Sequence, residues 1–87
     1  MRLDKFLKIS LLFKTRSSAE KAIEKNNVFL NGNTAKPSAN VKIGDQIMIE
    51  TPFKKTVYKI EQLFDKSVPK QTAREMTSLV SEEKNEL

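Results

Sequence analysis

The sequence predicts an α+β fold: two short N-terminal helices packed on a small antiparallel sheet of three to four strands, followed by a short, charged, partly helical C-terminal tail. Three observations predict it. Apolar residues first recur at helical spacing, at Leu3, Phe6 and Leu7 and again at Ala19, Ala22 and Ile23. The period then shortens to the alternation of strands around an Asn31-Gly32 pair. Beyond residue 64 the sequence becomes polar and charged, which divides it into a folded unit, 1–64, and a tail, 65–87.

Each element has its own signal. Leu3, Phe6 and Leu7 mark one face of a first helix ending near Ile9 or Ser10, and Asp4 suits the positive end of its dipole. Leu11, Leu12 and Phe13 link it to a second helix and are expected to fill the space between the two. Ser17-Ser18-Ala19-Glu20 has the form of a capping box for that second helix. Asn26 and Asn27 close it, because asparagine tolerates left-handed backbone. Val28 and Leu30 alternate with Phe29 as a strand, Asn31-Gly32 turns it, and Thr34-Ala35-Lys36 returns. Pro37 to Asn40 read as a connection, since proline cannot continue a central strand. Gly44-Asp45 turns into a strand over residues 46–50, residues 52–55 form a loop, and residues 56–63 form a last strand of undetermined register. In the tail, Pro69 opens a short helix striped by Ala73, Met76 and Val80, and residues 82–87 read as disordered.

Composition excludes several functions. With no Cys and no His among 87 residues, there is no disulfide framework, no thiolate metal site, and none of the usual nucleophile–base systems. No cofactor or metal is expected, and no enzyme activity. The longest apolar run, residues 9–13, is interrupted by Ser10 and far too short for a membrane span, so a cytoplasmic protein without a membrane partner is expected.

The net charge of +5 is placed unevenly. Residues 1–36 carry eight Lys and Arg against three acids, and residues 65–87 carry four against five. A one-sided basic excess is the footprint of a polyanion binder. Arg2, Lys5 and Lys8 lie on or beside the first helix; Lys14 and Arg16 sit just before or at the start of the second. Arginine at a helix start suits phosphate, with two parallel N–H donors beside free backbone N–H groups. These side chains form either one phosphate-gripping face or the ordinary surface of a helix pair. Lys36 and Lys21 would extend such a face. Phe29 faces away from Val28 and Leu30; packing is the favoured role, base stacking the alternative. Lys70, Arg74 and Met76 either touch a partner or belong to a loosely docked tail.

Five pieces in order, Arg2-Leu3-Asp4-Lys5-Phe6-Leu7, Lys14-Thr15-Arg16, Val28-Phe29-Leu30-Asn31-Gly32, Lys36-Pro37-Ser38 and Val41-Lys42-Ile43-Gly44-Asp45-Gln46-Ile47, resemble the S-four RNA-binding domain, also called the αL motif. Its size and charged tail resemble the short stand-alone members that serve bacterial ribosome-associated quality control. That resemblance implies RNA binding by Arg2 and Arg16, with Lys5, Lys8, Lys14 and Lys36. It implies as partners large-subunit rRNA and peptidyl-tRNA on obstructed large subunits, and RqcH, a NEMF-type factor that adds alanine to the stalled chain. A monomer is expected when free. The chain departs from the pattern at Asn26-Asn27, where the family often has Gly and then Arg or Lys: Asn26 keeps the backbone conformation, and Asn27 removes one phosphate contact.

Two rivals share these features. One is a heat-shock-related rescue or large-subunit assembly factor of the same family, which usually has a longer basic tail. The other is a helix-turn-helix DNA regulator, disfavoured because the middle of the second helix offers no Asn, Gln or Arg to read bases.

Overall fold

The computed structural model describes residues 1–64 and 66–85. Along the chain run α1 (Leu3–Ile9), α2 (Arg16–Glu24), β1 (Val28–Leu30), β2 (Asn33–Thr34), β3 (Gln46–Glu50), β4 (Lys54–Ile60), α3 (Lys70–Arg74) and β5 (Thr77–Lys84). The class is α+β, with a single antiparallel sheet ordered β2-β1-β3-β4-β5. Among the described residues the sheet thus has five strands rather than three or four.

The core lies between the helix pair and one face of the sheet. Leu3, Phe6 and Leu7 of α1 meet Ala19 and Ile23 of α2 over Val28, Ile47 and Ile60. Val28 registers with Ile49 and Leu30 with Ile47, so these side chains share the inner face; Phe29 registers with Met48 on the outer one. In β4, Thr56 and Ile60 are buried, which fixes the register the sequence left open: 56, 58 and 60 face inward.

The helix ends explain the links. Beyond the C-cap Ser10, Leu11 has φ 64°, a left-handed backbone that glycine adopts freely and that costs a leucine about 1 kcal/mol. Leu12 and Phe13 pack against the core as expected, whereas Leu11 stands out at 43% exposure. The cap of α2 is not Ser17. Thr15, in extended backbone, is the N-cap: its Oγ1 accepts the Ser18 N–H at 3.0 Å, and the Ser18 Oγ accepts the Thr15 N–H at 3.4 Å. Thr15 and Ser17 both start acceptable cap spacings, and the path of the chain out of α1 selects the earlier one. Asn26 closes α2 at φ 60°.

Asn31 and Gly32, at φ 51° and 84°, make the two-residue turn between β1 and β2 with the positive φ pair that such hairpins require. The Asn31 amide also ties this turn to the start of β3, donating to Asp45 Oδ1 at 3.2 Å and accepting from the Gln46 N–H at 2.9 Å.

The helical tail is a correction. Among the described residues of the tail only Lys70–Arg74 is helical, with Pro69 as its N-cap, and Thr77–Lys84 is an eight-residue strand along β4. Unpaired β4 would present a row of backbone N–H and C=O groups, and β5 satisfies them. Ala73 and Met76 are fully buried, but Val80 is on the strand and half exposed, so the expected apolar stripe is broken. Residues 82–84 lie in β5 rather than in disorder; residues 86 and 87 of that expectation fall outside the described residues. Lys54 Nζ donates to Glu82 Oε1 at 2.9 Å across β4 and β5; that contact raises the Lys54 pKa and lowers that of Glu82.

Candidate nucleic-acid interface

The opening residues are held in place by backbone alone before any side chain acts. The Leu3 N–H donates to the Ala39 carbonyl at 2.8 Å, Asp4 N–H to Pro37 at 3.2 Å, and Val41 N–H to Met1 at 2.9 Å. Arg2 bridges to Asn40. The start of α1 is thereby fastened to the segment that Lys36 begins, and this fastening is why residues far apart in sequence come to one place.

Asp4 organises that place. Its side chain is 0% exposed, and its carboxylate gathers both arginines. Arg2 grips it with a fork, Nε on Oδ1 and Nη2 on Oδ2, both at 3.2 Å. Arg16 Nε reaches Oδ2 at 3.2 Å from the first turn of α2, and the Lys5 N–H donates to Oδ1 at 2.7 Å. Burial by itself pushes the Asp4 carboxyl up. The contacts from Arg16, then Arg2, and the Lys5 N–H outweigh it and hold the pKa below the ordinary value. Asp4 therefore stays ionised beneath the two guanidiniums and sets their positions.

Both arginine side chains remain about half exposed, at 51% for Arg2 and 46% for Arg16. Arg16 also lies 3.7 Å from Glu20, one turn along α2. The two acids offset the two arginines in formal charge, but Asp4 lies underneath and the Glu20 pair is exposed and weak. Guanidinium N–H groups not spent on Asp4 remain to donate outward. The excess positive charge comes from Lys5, Lys8, Lys14 and Lys36, which form no ion pair among the described residues. Arg2 is the N-cap of α1, and Lys5 and Lys8 lie on that helix; Lys14 and Lys36 are exposed on the adjoining segments. Every sequence-predicted residue thus lies in the helix pair with its cap and link, or on the segment pinned to it.

Other expectations divide. Lys21 is exposed on α2. Phe29 is half-buried on the outer face of the sheet opposite Met48, outside the core and its packed periphery. Met76 is 0% exposed and cannot touch a partner, whereas Lys70 and Arg74 are exposed. The role of Asp4 escaped sequence reasoning beyond its dipole, because its contact with Arg16 is tertiary. Among the described residues, no group of three or more His, Cys, Asp or Glu gathers to hold a metal, and no helix is long and apolar enough to cross a membrane.

Comparison with known proteins identifies the family. Residues 1–47 match the S4 domain family. The chain is 43% identical over 86 residues to the RQC P-site tRNA stabilizing factor of Listeria monocytogenes, covering 99% of this chain and 92% of that one. It is 38% identical over 84 residues to the factor of the same name from Bacillus subtilis, covering 97% and 96%. Among solved structures, the fold is similar to Vibrio cholerae heat shock protein 15, described as trimeric, with a TM-score of 0.85 and 33% identity over 93% of this chain and 82% of that one. It is also similar to the hypothetical protein HP1423, with a TM-score of 0.79 and 33% identity over 93% of this chain and 98% of that one. By sequence over almost its whole length, this chain belongs to the S4-domain family and, within it, to the RQC P-site tRNA stabilizing factors.

Proposed function

We propose that this protein is a ribosome-associated quality-control factor that acts in the cytoplasm by binding alone, without catalysis. It binds large ribosomal subunits obstructed by peptidyl-tRNA, contacts large-subunit rRNA and the P-site tRNA, and thereby supports alanine tailing of the stalled chain by RqcH. The observation that carries this reading is the convergence of Arg2 and Arg16 on the buried Asp4, with Lys5, Lys8, Lys14 and Lys36 on α1 and the adjoining segments. The relatives' name, which speaks of stabilizing a P-site tRNA, supports the choice of RNA.

The physics is electrostatic. Cations on a rigid helix pair replace counterions along RNA phosphates, giving affinity that falls steeply with salt. Two prepositioned guanidiniums need little ordering on binding, because Asp4 has already restricted them. Specificity comes from RNA shape, since side chains cannot enter the deep groove of an A-form helix. Bridging rRNA and tRNA raises the effective concentration of the tRNA at its site.

The test is co-sedimentation of Arg16→Ala with large subunits carrying peptidyl-tRNA. Binding should weaken while the fold persists, and alanine tailing should fall with it. Undiminished co-sedimentation would remove Arg16 from the interface. The likeness to heat shock protein 15 supports a second reading, a heat-shock-related rescue or large-subunit assembly factor. An assembly role predicts equal binding to subunits with and without tRNA.

A further inference from the structure

We propose that the cleft between the α1–α2 link, β4, α3 and β5 is a second RNA site that takes an unpaired nucleotide: its base against Tyr58 and its phosphate on Arg74 and Lys70. The inference rests on the RNA-binding reading above and adds a site outside the Arg2–Arg16 face. The cleft has a volume of about 500 Å3, within the size range of ligand sites. Leu11, Leu12, Tyr58 and Leu79 give it apolar walls, and Lys70 and Arg74, one turn apart on α3, give it two cations; no acid lines it among the described residues.

Two backbone irregularities build it. Along β4 and β5, Val57 registers with Ser81 but Tyr58 registers with Leu79, so Val80 is an extra, bulged residue. The bulge turns Leu79 to the face that Tyr58 occupies, and it stays 58% exposed there because the helix pair does not cover that part of the sheet. On the opposite wall Leu11 holds a left-handed backbone where glycine would be unstrained, and its side chain joins neither the core nor the residues packed on it. The left-handed backbone closes the end of α1, and the exposed leucine side chain it carries there lines the cleft.

The chemistry favours RNA over a polypeptide. An aromatic face beside two cations matches a base with its phosphate. The wall at Leu11 and Leu12 belongs to the same link that carries the exposed Lys14 and leads into α2 at Arg16.

Fluorescence anisotropy of the full chain with a labelled eight-nucleotide uridine oligomer tests this. Arg74→Ala and Tyr58→Leu should each weaken binding about tenfold, and Leu11→Gly should weaken it without loss of helical circular dichroism. Ultraviolet crosslinking to the same oligomer should put a uridine adduct on Tyr58 or its neighbours, which keeps the proposal open to refutation even where a variant fails to fold. No oligomer binding, unchanged affinity in Arg74→Ala, or adducts confined to residues 1–40 would overturn it. Displacement of the oligomer by hexaglutamate at equal concentration would overturn it in favour of an acidic peptide. Arg16→Ala co-sedimentation with subunits reads the proposed function separately: if that binding is lost and Arg74→Ala leaves oligomer affinity intact, only the cleft falls. If subunit binding survives Arg16→Ala and the oligomer still depends on Arg74, the cleft stands without the first site.

Discussion

Replacing Asp4 with asparagine removes the one buried charge that both arginines share. Breaking a buried pair costs several kcal/mol when both partners are enclosed. Here the arginines are half exposed, so a loss of about 1–3 kcal/mol is expected in urea unfolding. The pH dependence follows from the depressed pKa of Asp4. A carboxylate held below its unfolded value stabilises the native state fully above that value, about pH 4, and loses this contribution as pH falls through the folded pKa. The wild type should therefore lose stability below about pH 4 more steeply than Asp4→Asn, and parallel acid limbs would show that the carboxylate is not held this way. The same variant frees both guanidiniums, so RNA affinity should drop even though the formal positive charge has risen. A rise in affinity would mean that charge, not position, controls the site.

At the level of the element, the start of α2 sets where Arg16 points. Thr15→Ala deletes the reciprocal cap and should cost about 1 kcal/mol by urea unfolding. Ser17→Ala, at the position the sequence favoured, should stay within about 0.5 kcal/mol. The reverse order would put the cap back at Ser17. The C-terminal segment is the second element with a clear test. Met76 is fully buried in the core cluster between α3 and β5. Truncating a buried methionine costs roughly 2–5 kcal/mol, whereas a methionine on a free tail would cost almost nothing. Met76→Ala should lower the thermal midpoint and release the backbone amides of β5 to hydrogen exchange together with those at the β4 edge.

For the whole molecule, the relevant quantity is the number of phosphates engaged. If the six cations of the helix pair and its pinned segment all meet phosphates, log affinity should fall against log salt with a slope of roughly −4 to −5. Removing Arg16 should make that slope shallower by about one. A flat salt response would rule out phosphate-dominated binding. The sheet contributes stiffness. Its five strands share one core with the helix pair, and the stapling of the Asn31 turn to Asp45 and the start of β3 ties the far hairpin into it.

The sequence by itself determined the helix pair, the turn at Asn31-Gly32, the apolar face of each early element and the basic character of the opening residues. These follow from spacing and from turn chemistry, which are local: Leu3, Phe6 and Leu7 lie on one side of any helix, and Asn-Gly supplies positive φ in any context. It also carried the uneven placement of charge that marks the six candidate cations, and the resemblance that implies RNA binding by them. Tertiary structure alone decided the rest. The tail read as a helix because Ala73 and Met76 have helical spacing, yet residues 77–84 became a strand because the open edge of β4 offered backbone partners that a tail helix could not satisfy. The choice of Thr15 over Ser17, the bulge at Val80 and the strained Leu11 depend on how neighbouring elements meet. The meeting of Arg2 and Arg16 over Asp4 is of the same kind. No periodic signal marks a carboxylate that will be buried between two helices, because its partners become neighbours only after the chain has packed.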